Sequence, residues 1–343
     1  MRSQILAMLV AIIVFGSCQN AGDKGKSGEG NAQMKAEEAK ENRLLENRKK
    51  IESLNKDYPR IPTEGKILEN GENQVYNELK QRYKTQLSSL KQQIESTGAK
   101  MIVVLLSPVP QSKASISDKI SNPYLAKTAT DLGLEFFDFT PVIAGQDEKV
   151  ITQLPKDGHW SVKGAQLIAD HLVTIVKKFP DAASKTTYKD SERPESFGDL
   201  APNDDEVLDG GKNLPYHIKA NAQGMRMDHD LTFPKKKKRI LLMGDSNFFC
   251  PFLDNDFTIA YAMQKELPDY EVYAVAQVNW TTEDYISLWN DKTKYTEPDI
   301  VIIGTNSSDI EDLFFTNRNH CSRSETPFYP SETELKYYKE TYK

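Results

Sequence analysis

Five residues of this 343-residue chain are placed where they could share one reaction. Ser246 sits in Gly244–Asp245–Ser246–Asn247, directly after the apolar run Ile240–Met243. An apolar run that stops at Gly-Asp-Ser reads as a buried strand ending in a tight turn, where Gly244 permits a backbone angle other residues resist, and open α/β sheets carry their sites at strand carboxyl ends. A serine hydroxyl is a weak nucleophile and needs a base beside it. The segment Asp157–Gly158–His159–Trp160 supplies one. Across a bend allowed by Gly158, Asp157 can accept from one ring nitrogen of His159, which fixes the tautomer and leaves the other nitrogen free to take a proton. Asn306, in Gly304–Thr305–Asn306, offers a side-chain amide to a developing oxyanion, the backbone N–H of Ser246 offers a second donor, and the loop at Asn279 a third. The chemistry is acyl transfer through an acyl-serine, with Ser246, His159 and Asp157 in the catalytic roles. Trp160, Trp280 and Asn247 adjoin these residues and are candidates for substrate contact, the tryptophans as the floor of a pocket, with core packing as their competing role. Asn221 to Arg226 is a further candidate for the pocket rim.

The elements that must hold these groups alternate between helix and strand. Val75, Leu79, Tyr83, Leu87, Leu90 and Ile94 recur at helical spacing, and Gly98 ends that helix. Met101–Leu106 is then a continuous apolar run, as expected of a parallel strand buried on both faces. A helix over 123–132 leads to a strand over 134–139, and the Asp157–His159 segment precedes a helix marked by Leu167, Ile168, Leu172, Ile175 and Phe179. After Ser246 come a helix over 254–267, a strand over 271–275, a helix over 283–289 and a buried strand over 299–303. The fold class is α/β with a mostly parallel sheet. Residues 180–235 are irregular and too long for a simple connection, so they are expected to form an insertion overhanging the site, with short strands near 217–222 and 225–231. Lys235 to Arg239 enters the strand at the end opposite the serine and is expected to be a solvated edge.

The amino terminus is expected to be an export signal. Met1 and Arg2 precede an apolar run from Ile5 to Phe15, too short to span a bilayer comfortably, and Gly16–Ser17 stands before Cys18. That pattern resembles a bacterial lipobox, with residues 1–17 removed and Cys18 acylated, against an ordinary signal peptide or a membrane helix. Residues 18–58 are expected to be a flexible Gly/Ser/Lys tether followed by a charged stalk helix, and 59–343 the catalytic domain. At 38% hydrophobic residues the chain can bury a substantial core, and a net charge of −6 argues against a nucleic-acid partner. His171, His217, His229 and His320 lack ligand spacing, so no metal is assigned, and a serine relay needs no cofactor. With Cys18 acylated, Cys250 and Cys321 remain, either as a disulfide or as two buried thiols.

Gly244–Asp245–Ser246, the Asn279 loop and Gly304–Thr305–Asn306 resemble three sequence blocks of the SGNH (GDSL-type) hydrolase superfamily, in the family's order. In most of that superfamily the Asp-His block comes last; here Asp157–Gly158–His159–Trp160 comes first, an order similar to that of the alginate O-acetyltransferase (AlgX/AlgJ-like) branch. The resemblance covers roughly residues 101–309. It implies a three-layer SGNH-like sandwich with circularly permuted blocks. The activity it implies is O-acetyl transfer to a cell-envelope or secreted polysaccharide, with an acetyl-serine intermediate. The expected location is the cell envelope, periplasmic or surface-exposed, on a lipid anchor, and the acetyl groups are expected from a membrane O-acyltransferase system. A carbohydrate acetylesterase shares the first half-reaction, and a scaffold lipoprotein in polysaccharide export is the non-catalytic alternative. The second block departs from the pattern, with Asn279–Trp280–Thr281 where a glycine is expected. Only 37 residues follow Asn306, so acceptor recognition is expected from the insertion or from a partner.

Overall fold

The computed structural model describes residues 67–69, 71–107, 114–314 and 330–342 together with part of 38–58, so Cys18, His320 and Cys321 lie outside the described residues. Within 38–57 the described residues are helical and mostly exposed. The helix α1 (Gln74–Ser96) is capped by Asn73, whose side chain accepts from the Tyr76 N–H at 3.0 Å. It leads into β1 (Lys100–Leu105), α2 (Ile116–Asp131), β2 (Glu135–Asp138), and the short helices α3 (Thr140–Ala144) and α4 (Glu148–Ile151). Then come α5 (Val162–Val176), the hairpin strands β3 (Asp205–Leu208) and β4 (Tyr216–Lys219), β5 (Lys238–Gly244) and the one-turn helix α6 (Ser246–Phe249). The chain closes with α7 (Ile259–Glu266), β6 (Tyr270–Ala276), α8 (Thr282–Asp291), β7 (Ile300–Thr305), α9 (Asp309–Asp312) and α10 (Glu332–Tyr342).

Five strands form one sheet in the order β2-β1-β7-β5-β6, and every pairing in it is parallel. Alternation along the strands explains the three layers. Met101, Val103, Leu241, Met243, Val301 and Ile303 pack into one core with α1, α2, α8 and α10, while Ile102, Val104, Ile240, Leu242, Ile300 and Ile302 pack into the other with α5 and α7. Successive side chains on a strand point to opposite faces, so a sheet covered on both sides needs an unbroken apolar run, and each such side chain contributes about 1.5–3 kcal/mol when buried. The expected α/β sandwich is therefore the observed one. None of the described helices is long and apolar enough to cross a membrane.

Three local expectations are corrected. The helix α2 begins at Ile116 instead of 123, because Ser115 and Asp118 close a capping box and Pro123 is accommodated inside the helix. In the insertion, β4 pairs antiparallel with β3, and no strand forms over 225–231. The basic stretch Lys235–Arg239 is a solvated edge only in part: Lys236 and Lys237 are exposed, but Lys235 Nζ lies 2.6 Å from Asp299 Oδ1, and Arg239 is fully buried, with Nε 2.6 Å from Glu271 Oε2 and its other nitrogens on the carbonyls of Thr296 and Thr232. A buried guanidinium needs a carboxylate and several acceptors to offset desolvation, and Glu271 and Thr296 supply them from distant segments, with Thr232 nearby in the chain.

Candidate active site

Sheet register carries two of the expected groups to one place. Met243 pairs with Ile303, so Ser246 and Asn306, each three residues further on, leave the sheet side by side. The strand β5 also pairs with β6, so the loop holding Asn279 emerges on the other flank of Ser246. From Arg239 to Cys250 every residue is buried except Ser246, which is half-exposed. Gly244 and Gly304 lie on neighbouring strands beneath the Phe248 ring, and a Cβ on either would come within 2.8 Å of it. Neither glycine has a left-handed backbone, so close packing of α6 on the sheet, and not an unusual backbone angle at Gly244, is what excludes a side chain.

Asp245 caps this turn. Its Oδ1 accepts from the Asn247 N–H at 2.9 Å and its Oδ2 accepts from Asn306 Nδ2 at 2.7 Å, while Ser246 Oγ lies 3.5 Å from Oδ2. Asn306 in turn accepts from the Ser308 N–H at 2.8 Å and hydroxyl at 2.9 Å. An amide nitrogen carries two hydrogens, so Asn306 retains one for another acceptor. Asn247 is buried and its side chain serves Asp245, which removes it from substrate contact.

The other half of the site is the loop before α5. Asp157 Oδ1 accepts the His159 backbone N–H at 2.9 Å and also contacts His159 Nδ1, which leaves Nε2 as the unengaged ring nitrogen. His159 is 30% exposed and Asp157 13%. Ser161 caps α5, accepting from the Gly164 N–H at 3.2 Å. Gly158 has no left-handed backbone and open space where a Cβ would stand, so the bend does not depend on its being glycine.

The His159 loop lies beside the segment that follows the Ser246 turn. The His159 ring centroid lies 6.0 Å from that of Phe252, six residues after Ser246. Ser246 and His159 are not hydrogen-bonded to each other. Hydrogen bonds of this kind are often loose without a ligand and tighten when one binds.

Asn279 is exposed, with φ of 62°. Glycine takes that conformation freely and asparagine is among the residues that tolerate it, so Asn279 supplies the backbone shape for which the block pattern has glycine. The tryptophans are corrected as substrate contacts. Trp160 is 0% exposed in the core with α5, and Trp280 is 3% exposed in the core on the opposite face. Cys250 is a buried free thiol that burial pushes up to about 11.

Sequence reasoning missed a second carboxyl behind the serine. Asp309 is buried, and its Oδ2 accepts from Thr305 Oγ1 at 2.6 Å, with Tyr83 hydrogen-bonded to Thr305 at 3.0 Å. Burial, reinforced by the charge of Asp245, pushes Asp309 well above the carboxylate range. Burial raises Asp245 as well, opposed by its Asn247 and Asn306 donors and by His159, so the proton of the pair belongs on Asp309. A carboxyl that keeps its proton only in the folded protein stabilises it fully below the ordinary aspartate pKa, and that contribution is lost as pH rises through the raised native value. Asp309→Asn, neutral throughout, should therefore lose less stability than the wild type between about pH 5 and 9, as read by urea unfolding. Parallel declines would contradict a neutral Asp309.

No protein-family model and no curated protein matches the chain. Among solved structures the chain is similar to the O-acetyltransferase domain of Pseudomonas putida AlgJ, at 17% identity over 70% of this chain and 86% of that one, with a TM-score of 0.43. It is also similar to Pseudomonas aeruginosa AlgX, at 17% identity over 72% of this chain and 60% of that one, with a TM-score of 0.41. Bacillus cereus PatB1 follows at 12% identity, covering 68% of this chain and 91% of its own, with a TM-score of 0.38. AlgJ and AlgX are the proteins whose block order the sequence resembles.

Proposed function

We propose that the chain is a serine-dependent O-acetyltransferase of a cell-envelope polysaccharide. One observation carries the reading: within a twelve-residue buried run Ser246 alone is not buried, at a strand's carboxyl end, and Phe252 in the loop that follows lies beside His159, which Asp157 holds. His159 Nε2 takes the proton of Ser246 as the hydroxyl attacks the acetyl carbonyl of the donor. The second amide hydrogen of Asn306, the Ser246 N–H and the Asn279 loop hold the oxyanion. His159 returns the proton to the leaving group, and the acetyl group remains on Ser246. A sugar hydroxyl, deprotonated by His159, then attacks that ester and regenerates the serine.

Transfer, in preference to hydrolysis, is supported by the block order, which resembles that of the alginate O-acetyltransferase branch. Phe249, Tyr216 and Ile218 form a small core joined by Phe252, and the Phe252 ring lies beside His159. An anchor on Cys18 and a membrane partner passing acetyl groups to Ser246 complete the proposal. The test is turnover of an activated acetyl ester with and without an acetylatable oligosaccharide: acetylated sugar is expected, and release of acetate alone would make the protein an esterase.

A further inference from the structure

The insertion is tied to the loop that follows the serine turn. Arg226 reaches from it into the loop after α6, with Nη1 2.6 Å from the Phe249 carbonyl and 3.3 Å from that of Cys250, Nη2 on the Leu253 carbonyl and Nε 2.8 Å from Asn255 Oδ1. Three backbone carbonyls converge on one guanidinium because Cys250 and Phe252 both take left-handed backbones, with φ of 55° and 65°. Such a conformation is uncommon for a non-glycine residue and worse for a bulky one, so something must hold it. The fork of Arg226 is that clamp, since a planar guanidinium presents donors in fixed directions that a lysine ammonium cannot reproduce.

The clamped loop presents Phe252 to two rings at once, His159 at 6.0 Å and Tyr216 of β4 at 5.6 Å between centroids. Gly210, at the hairpin turn, lies against the Phe252 ring from the other side, where a Cβ would stand 2.8 Å from it. The same turn is tied to the histidine loop, because Lys156 Nζ donates to the Asn213 carbonyl at 2.8 Å. The hairpin is tied in turn to the clamped loop, since the His217 N–H donates to Asp254 Oδ1 at 2.6 Å and Asn255 Nδ2 to the Lys219 carbonyl at 2.7 Å. Serine turn, clamped loop, hairpin and histidine loop thus close a ring of contacts.

We propose that Arg226 is a positioning residue that holds the Phe252 ring against the His159 imidazole, setting the base relative to Ser246. This rests on the catalytic reading of Ser246 and His159, but its test does not depend on turnover. In histidine-labelled protein, Arg226→Lys and Phe252→Leu are each expected to move the His159 ring resonances by more than a line width, while those of His171, against the Leu167 carbonyl on α5, stay in place. On an activated acetyl ester both variants should lose about 10- to 100-fold in kcat with KM changed little, the pattern of a misplaced base. Unmoved His159 resonances in either folded variant would overturn the proposal. Should Arg226→Lys also move His171, the fold has changed and Phe252→Leu, which leaves the clamp intact, decides alone. A wild type that turns over no ester, with His159 still shifted in the variants, would overturn the catalytic reading and leave the positioning intact.

Discussion

Ser246→Ala is expected to lower acetyl-ester turnover by about 10⁴- to 10⁶-fold while leaving stability within about 0.5 kcal/mol of the wild type. The large effect follows from removing the atom proposed to form the covalent intermediate. The small one follows from the structure, because Ser246 is only partly buried and its hydroxyl makes one hydrogen bond, at 3.5 Å to Asp245. His159→Ala should cost a similar factor, and the double variant little more than either alone, since base and nucleophile act as one unit. Steady-state kinetics on the three proteins, with urea unfolding beside them, check this. Additive losses, or an active Ser246→Ala, would mean that another group does the chemistry.

Asp157→Asn is expected to cost about 10³- to 10⁴-fold in kcat, with KM nearly unchanged. Asp157 Oδ1 holds His159 twice, at the backbone N–H and at Nδ1. A carboxylate can only accept at these positions, so Nδ1 must carry the hydrogen and Nε2 is left as the base. An asparagine turned to donate to Nδ1 would put the hydrogen on Nε2, the wrong nitrogen for taking the serine proton. The loss should appear at kcat, because acetyl-ester binding does not need the tautomer. A loss below about tenfold would show that Asp157 merely shapes the loop.

Much of the architecture was legible because of burial on both faces. The runs at Met101–Leu105, Ile240–Met243 and Ile300–Ile303 are apolar without alternation, and only a strand covered on two sides requires that. The ends of β5 and β7 were equally plain, since polar residues follow each run at once. Hidden were features decided by distant partners. Asp205–Leu208 shows no apolar alternation, and its pairing with Tyr216–Lys219 follows from the covered face of β4. Trp160 and Trp280 stand beside site residues in sequence, but the backbone turns both side chains into the cores. Arg226 has no motif because its acceptors are backbone carbonyls, and their convergence depends on left-handed residues 24 and 26 positions later. Asp309 became notable only once the fold buried it and set Asp245 near it, both of which raise its pKa.

The central claim is that His159 activates Ser246, and peptide mapping after brief exposure to an activated acetyl ester tests it most directly. The wild type should carry an acetyl group on the peptide containing Ser246, and His159→Ala should carry none there while its surface lysines react as before. Equal acetylation of that peptide in both proteins, or its absence from the wild type, would contradict the account.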